Sequence, residues 1–311
     1  MKPNQIKTEK VIPDISRKTL QTKRKPFTLK LGSRQLTLGS QTRVMGIINM
    51  TPDSFSQDGC LTKNNNSLEY SSRLAQRMIK EGADILDIGG ESSRPGSIKI
   101  TAQEEINRVI PLIKKLSKSA DIPISIDTYK TSVAKHALDN GAVIINNIMG
   151  AQLNRPLLKM AKNYNAVLVL MHMRGIPKTM QKSISYQNVV KEIIHTLKIS
   201  IENCLEIGIK SDKIVIDPGI GFGKTVENNL EIINRLKEFQ VLNKPLLVGT
   251  SRKSFIGHIL DKEANQRLNG TLASVAACVL NGAHIIRVHD VKETKEAALI
   301  SDAIINEGII E

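Results

Sequence analysis

The chain has 311 residues, of which 41% are hydrophobic and 3% aromatic, and it carries a net charge of +14. No apolar run approaches the roughly 18 residues of a membrane-spanning helix, and the opening MKPNQIKTEK lacks the apolar core of a signal peptide. The three cysteines, Cys60, Cys204 and Cys278, show no CxxC spacing, which argues against a disulfide framework or a zinc site. We therefore expect a globular, cytoplasmic protein with no membrane partner.

The positive charge is concentrated at the N-terminus. Residues 1–34 hold ten Lys and Arg against Glu9 and Asp14, so they contribute 10 − 2 = +8 of the net charge. Because residues 1–25 are polar and aperiodic, they predict a disordered basic extension before one folded domain that spans 26–311. We interpret the extension as a solubilising or variable segment. Weak binding to RNA is the alternative, but we do not expect nucleic acid as a partner.

The first folded element is predicted to be a β-hairpin. Two alternating runs, FTLKL and RQLTL, flank the dipeptide Gly32-Ser33, which suits a two-residue turn. From Arg43 onward the pattern changes to short apolar runs, each followed by a polar loop and a helical pattern. The eight candidate strands are RVMGII, DILDI, PISI, AVII, AVLVLM, KIVI, PLLVG and HIIRV.

Glycines punctuate this repeated unit. Gly82, Gly141 and Gly282 stand where a helix would end in the left-handed conformation, just before an apolar strand. Strands that are apolar on both faces and alternate with helices favour a parallel sheet covered by helices. Eight such units predict an α/β protein, a (β/α)8 TIM barrel preceded by the hairpin. An open, doubly wound sheet is the alternative.

Every candidate strand is followed by polar groups, and in a parallel barrel those positions share one mouth. Carboxylate and amide groups suit a flat, nitrogen-rich heterocycle such as a pterin, whereas arginines suit phosphate and amide oxygens suit Mg²⁺. Ser254 opens a predicted helix, whose N-terminus favours an anion such as a carboxylate. The strand-end groups are Asn49, the run from Gly89 to Arg94, Asp127, Asn146, Asn147, His172, Asp217, the run from Ser251 to Ser254, Arg287 and His289.

The stretch IDPGIGFGKT has the appearance of a nucleotide-binding loop. However, Pro218 occupies the position where a phosphate-binding loop needs its first glycine, and Lys224 replaces the last glycine of a dinucleotide motif. We therefore expect the glycines to let the backbone turn closely around another ligand, and Lys224 to be a solvated or structural lysine.

Six motifs resemble those of the dihydropteroate synthases, and the resemblance covers about residues 27–311. They are MGIINMTPDSFS, DIGGESSRPG, SIDTYK, DPGIGFGKT, GTSRKSFIG and RVHDV. The resemblance implies a transferase of folate biosynthesis that condenses 6-hydroxymethyl-7,8-dihydropterin diphosphate with p-aminobenzoate, giving 7,8-dihydropteroate and pyrophosphate. It also implies Mg²⁺, a family that is a target of sulfonamides, and a homodimer formed through outer helices.

The resemblance further implies a role for each matching residue. The pterin would be held by Asp127, Asn146, Asp217 and Lys253, and the metal by Asn49. The diphosphate would contact Arg94, Arg287 and His289. The loop from Thr51 to Ser56 and the loop with Ser93 and Arg94 would close over p-aminobenzoate, with Phe222 against its ring and Ser254 near its carboxylate. The implied catalytic set is Lys253, Arg287, His289 and Arg94.

The chain departs from the family pattern at a few positions. Ser93 replaces a common threonine and keeps the hydroxyl, whereas Asn147 replaces a frequent aspartate and removes a charge. The segment SFSQDGC differs from the commoner SFSDGG. The nearest rival function is a pterin-binding methyltransferase module, which would not need the diphosphate contacts.

Overall fold

A computed structural model of the chain describes residues 24–51, 67–92, 99–147, 154–175, 180–181 and 184–308. Several of the predictions lie outside these ranges and keep their status as expectations. They concern Ser93, Arg94, Cys60, the basic extension up to residue 23 and the loop beyond Thr51.

Ten strands and nine α-helices are present in the described residues. The strands are β1 Phe27–Leu31, β2 Arg34–Leu38, β3 Arg43–Asn49, β4 Ile85–Gly89, β5 Ile124–Asp127, β6 Ile144–Asn147, β7 Val167–Met171, β8 Ile214–Asp217, β9 Leu247–Val248 and β10 Ile285–Val288. The helices are α1 Ser67–Lys80, α2 Ala102–Leu116, α3 Thr131–Asp139, α4 Arg155–Asn163, α5 Val189–Ile207, α6 Val226–Asn234, α7 Ser254–Leu260, α8 Leu268–Leu280 and α9 Val291–Asn306.

The strands β3 to β10 form one parallel sheet that curls into a barrel. Its order is β8-β7-β6-β5-β4-β3-β10-β9, so β8 and β9 are its two edges. A parallel bridge between Ile216 and Leu246 brings these edges together, and the N–H of Ile216 donates to the carbonyl of Pro245 at 3.0 Å. The predicted (β/α)8 barrel is confirmed, and the open, doubly wound alternative is wrong.

The glycine punctuation has a steric basis. Gly82, Gly141 and Gly282 have φ angles of 97°, 107° and 101°, which side chains with a Cβ rarely adopt. At Gly141 an added Cβ would also lie 2.5 Å from the Cβ of Ser117. The chain therefore turns from helix to strand where only glycine fits without strain.

The core has two layers. The larger layer packs the outward faces of the strands against the helices. The smaller one fills the barrel interior with residues such as Met45, Ile85 and Val169, and the hairpin β1-β2 contributes Leu29 and Leu38 to it. The predicted hairpin is confirmed, with Phe27 opposite Leu38, and it covers the end of the barrel where the strands begin. In the described ranges we find no helix with both the length and the apolar character to cross a membrane.

The N-terminal segment before the hairpin is attached to the last helix by a buried ion pair. Arg24 pairs with Asp302 and donates to the hydroxyl of Thr42 at 2.5 Å and to the carbonyl of Ala283 at 2.8 Å. Asp302 also accepts the backbone N–H of Thr42 at 2.6 Å. Arg24 is only 5% exposed. Arg24 therefore packs against the folded domain two residues before the predicted start at residue 26, and the extent of the predicted extension stays a prediction.

Replacing Arg24 by Met is expected to lower the free energy of unfolding by about 3–5 kcal/mol, because Asp302 would remain buried without its partner. Deletion of residues 1–23 should leave that free energy nearly unchanged. Urea denaturation of both variants measures the difference. Lys25→Met, at the exposed neighbouring cation, is the matched control. A small effect of Arg24→Met would show that the ion pair contributes little to stability.

Candidate active site

The predicted site residues lie at the carboxyl ends of the barrel strands. Asn49 ends β3, Asp127 ends β5, Asn146 and Asn147 end β6, and Asp217 ends β8. The sheet register aligns them, since Asp127 pairs with both Gly89 and Asn146 in neighbouring strands. The polar groups thus surround one mouth of the barrel, opposite the hairpin.

The centre of the site is an ion-pair network around Arg287. Its Nε donates to Oδ2 of Asp87 at 2.6 Å, and its Nη2 donates to Oδ2 of Asp127 at 2.6 Å. Asn146 donates from Nδ2 to the same oxygen of Asp87 at 2.9 Å. Asp87 is fully buried, and its Oδ1 has no hydrogen-bond partner among the described residues. One guanidinium group therefore joins three strands, β4, β5 and β10.

The network includes the carboxyl group of Asp127, whose pKa is raised to about 7. Burial raises the pKa of Asp127 to about 7; Arg287 opposes this rise, and the carboxylates of Asp87 and Glu105 add to it. Burial lowers the pKa of Arg287, but Asp87 and Asp127 together raise it above its ordinary value, so the guanidinium stays charged. The charge of Asp127 can thus respond to a ligand, whereas the charge of Arg287 cannot.

A second group of site residues comes from the end of β8, the loop after it and the segment after β9. Asp217 is buried and accepts the N–H of Gly219 on Oδ1 at 2.7 Å, and burial raises its pKa. The ammonium of Lys253 lies 4.1 Å from the ring centroid of Phe222. Burial, followed by the charge of Arg287, lowers the pKa of Lys253 to about 8. Acceptor, aromatic ring and cation therefore stand side by side.

The glycines of IDPGIGFGKT allow this loop to approach the neighbouring strand. Gly219 has a φ of 69°, and an added Cβ would lie 1.9 Å from the carbonyl oxygen of His172. At Gly223, with a φ of 64°, an added Cβ would lie 2.8 Å from the carbonyl oxygen of Arg174. The backbone of the loop therefore passes directly against the end of β7, which brings Asp217 and Phe222 into the mouth.

Lys224 is a structural lysine, and the solvated interpretation is wrong. It is 3% exposed, and its Nζ lies 2.9 Å from the carbonyl oxygen of Phe222 and 3.1 Å from Nδ1 of His172. Burial lowers the pKa of Lys224 to about 7.

The segment after β9 and the end of β10 are held together by polar contacts. The hydroxyl of Ser251 lies 2.9 Å from Nδ1 of His289, and Arg252 forms a two-pronged ion pair with Asp290, at 3.1 and 2.6 Å. Ser254 opens helix α7 as predicted, and it is exposed rather than enclosed in the mouth. His289 is half-buried and follows Arg287 by two residues in the sequence.

Sequence reasoning missed two parts of the site. The first is Asp87, which lies inside the apolar run DILDI rather than at its end; a lone carboxylate within a buried strand was the available signal. The second is a cluster in which Lys130 pairs with Glu91 and, at 2.6 Å, with Glu105, while the hydroxyl of Tyr129 donates to Glu91 at 3.2 Å. The adjacent Tyr129 and Lys130, Glu91 and Glu105 lie on three separate segments, so no local pattern reveals that they meet.

Comparisons with known proteins agree with this geometry. A family described as pterin binding enzyme matches residues 45–289. A dihydropteroate synthase of Clostridium beijerinckii is 42% identical over 278 residues, which cover 89% of this chain and 99% of the relative. The structure of a Yersinia pestis dihydropteroate synthase with a sulfonamide drug has a TM-score of 0.84 at 40% identity, covering 90% of this chain and 100% of the other. A Xanthomonas albilineans dihydropteroate synthase with 4-aminobenzoic acid has a TM-score of 0.82 at 36% identity, with coverages of 90% and 98%.

A double-mutant cycle on Asp87 and Arg287 tests the central network. We expect Asp87→Ala and Arg287→Met each to lower the free energy of unfolding, and the double variant to lose less than the sum, with a coupling of about 1–3 kcal/mol. Denaturant unfolding gives all four values. The control cycle uses Arg252 and Asp290, whose side chains are 34% and 19% exposed, and should give a smaller coupling of roughly 1 kcal/mol or less. Additive effects at Asp87 and Arg287 would contradict the network.

Proposed function

Because this chain belongs to the pterin-binding enzyme family, as a dihydropteroate synthase, we propose that the network of Asp127, Arg287 and Asp217 is its active site. The enzyme condenses 6-hydroxymethyl-7,8-dihydropterin diphosphate with p-aminobenzoate, giving 7,8-dihydropteroate and pyrophosphate in folate biosynthesis. The methyltransferase alternative is set aside, since the curated relatives that match nearly the whole chain are dihydropteroate synthases. The main support for this site is that Asp127, Asn146 and Asp217 lie together at one mouth of the barrel.

The proposed ring-binding groups are Asp127, Asn146, Asp217 and Lys253. A pterin edge offers adjacent N–H donors, and a carboxylate accepts two such donors side by side. One oxygen of Asp217 accepts the N–H of Gly219 at 2.7 Å, and we assign the other to the ring. Lys253 would donate to the oxygen and nitrogen acceptors of the ring. Oδ1 of Asp87 has no hydrogen-bond partner among the described residues, which supports a polar ligand or water at this depth, because a buried acceptor without a donor is unfavourable.

The proposed diphosphate contacts are Arg287, His289 and Arg94, of which Arg94 lies outside the described residues. A strict separation into a ring-binding part and a leaving-group part does not suit the geometry. Arg287 is already hydrogen-bonded through Nε and Nη2 to Asp87 and Asp127, so its remaining nitrogen, Nη1, is the one we assign to the diphosphate. Loss of Arg287 would therefore disturb ring binding as well.

We propose that the residues act by position and charge. Diphosphate leaves from the exocyclic CH₂ of the pterin, the electron-rich ring stabilises the developing cation, and the amine of p-aminobenzoate then attacks that carbon and loses a proton. No strong general base is needed. Asp127 and Asp217 place negative charge beside the cationic ring, and the lowered pKa of Lys253 limits the opposing positive charge. Phe222 and the exposed Ser254 are the proposed contacts of p-aminobenzoate.

Mg²⁺ is the proposed metal, with Asn49 as its protein ligand. Asn49 is half-buried at the end of β3 and presents an amide oxygen, a donor that Mg²⁺ accepts. In the parts of the chain that the structure describes, no group of three or more His, Cys, Asp or Glu side chains could enclose a metal. These donors fit an ion held mainly by substrate phosphate and water, which would neutralise the leaving diphosphate.

The expected homodimer remains a proposal, as does the cytoplasmic location. In support of a dimer, large apolar side chains stay exposed on the outer helices, including Ile259, Leu280, Leu299, Ile300 and Ile304. Such side chains are typical of surfaces that associate.

The purified enzyme should release pyrophosphate only when both substrates are present, and not when either is omitted.

Asp217→Asn should reduce affinity for the pterin by about 10- to 100-fold, because an amide N–H would then face a ring N–H. Calorimetry with hydroxymethylpterin measures this change. Asp212→Asn, at an exposed aspartate before β8, is the control and should bind normally. Equal affinities of the two variants would remove Asp217 from the proposed ring contacts.

Mg²⁺ should bind measurably only together with the diphosphate substrate. Titration of Mg²⁺ into the protein alone should give no saturable heat, since one amide oxygen is too weak a site, whereas titration with a bound diphosphate analogue should give it. Asn49→Ala should weaken that second response, and Asn147→Ala, at a neighbouring strand end, should not. Tight Mg²⁺ binding to the protein alone would contradict the assignment.

A further inference from the structure

The lysine of the glycine-rich motif has no part in the mechanism above, although it is buried in the site. The Nζ of Lys224 lies 2.9 Å from the carbonyl oxygen of Phe222, 3.1 Å from Nδ1 of His172 and 3.4 Å from the carbonyl oxygen of His172. An ammonium group has three donors, and these three neutral acceptors would use all of them. No carboxylate of the described residues forms an ion pair with Lys224, so these hydrogen bonds are what offset the cost of burying its charge.

The contact with Lys224 decides the state of the His172 ring. Below the pKa of Lys224, about 7, the side chain is an ammonium that can only donate, so Nδ1 of His172 accepts and the ring proton resides on Nε2. Burial and the charge of Lys224 lower the pKa of His172 to about 3, so the ring stays neutral. His172 is itself 5% exposed and follows β7 at the mouth of the barrel.

The same ammonium joins two segments of the site. The N–H of His172 donates to the carbonyl of Asp217 at 2.9 Å, so the end of β7 and the end of β8 already lie together. Lys224 adds a side-chain contact to the carbonyl of Phe222, which lies in the loop after β8. The ring of Phe222 in turn lies 4.1 Å from the ammonium of Lys253. A displacement of Phe222 would therefore move the ring that packs against Lys253, a proposed pterin contact.

We propose that Lys224 is a positioning residue for pterin recognition, which fixes the Phe222 carbonyl and the Nε2–H form of His172 and so holds Phe222 against Lys253. This inference rests on the proposed function, because it takes Lys253 and Asp217 to be pterin contacts. Lys224 touches no substrate in this scheme. It acts through the loop that carries Phe222.

The chain offers a matched control at the other end of the same strand. Lys213 immediately precedes β8, is also 3% exposed, and its ammonium donates to a single backbone carbonyl, that of Lys30. Lys224→Met and Lys213→Met thus remove the same group from residues with the same exposed fraction, one at the mouth of the barrel and one at the hairpin end, although the hydrogen bond of Lys213 is only partly buried. A purely structural role of Lys224 predicts the same outcome for both variants.

The test compares the two variants in pterin affinity, by calorimetry with hydroxymethylpterin, and in melting temperature. We expect Lys224→Met to weaken pterin binding by about tenfold or more, since a small misplacement of binding groups is costly, and Lys213→Met to change it by less than about twofold. Both should melt at a lower temperature than the wild type. Equal pterin affinities for the wild type and Lys224→Met would overturn the inference.

A second measurement needs only the wild-type protein. Nitrogen-15 NMR of the histidine rings at pH 6, with His172 assigned from a His172→Gln variant, should show an unprotonated Nδ1 and a protonated Nε2. A proton on Nδ1 would overturn the inference even if Lys224→Met failed to fold. The two failures are distinguishable: a wild type that binds no pterin contradicts the proposed function, whereas a binding wild type with an unaffected Lys224→Met contradicts only the role of Lys224.

Discussion

The pairing of one guanidinium group with two carboxylates organises the mouth of the barrel. Arg287 cannot be buried beside β4 and β5 without anions, and Asp87 cannot be buried without a cation, so each makes the other's position possible. Because the contacts cross from β10 to β4 and β5, the relative height of these strands is fixed where ligands would enter. Burial is the main cause of both the lowered pKa of Lys253 and the raised pKa of Asp127, and the charge of Arg287 adds to the first shift and opposes the second.

The two ends of the barrel serve different purposes. At the end where the strands begin, Leu29, Leu31 and Leu38 of the hairpin complete an apolar plug, and Arg24 donates to the hydroxyl of Thr42 and the carbonyl of Ala283. Nε of Arg24 and, at the other end, Oδ1 of Asp87 are buried without a hydrogen-bond partner among the described residues. The hairpin end is thus closed mainly by apolar packing, whereas charged and amide side chains surround the other end.

The strands and several site residues could be predicted from the sequence, because their signals lie within short stretches of the chain. The strands are apolar runs bounded by glycine, and Asp127, Asn146 and Asp217 were visible because each stands at the end of such a run. Asp87 was hidden within a run, and its role depends on Arg287, 200 residues away. Arg24 resembled the rest of a basic tail, since its burial depends on Asp302 in the last helix. Lys224 was ambiguous because its acceptors are mostly backbone carbonyls, which no composition reveals.

The link between Arg24 and Asp302 spans 278 residues, and it has a consequence for biosynthesis. At ribosomal rates the partner of Arg24 follows it by about 15–55 seconds. For most of that interval β3 also lacks β10, its neighbour on one side, so the growing sheet keeps an open edge of unpaired backbone groups. The nascent chain must therefore be shielded from association with other chains until the final helix has left the ribosome.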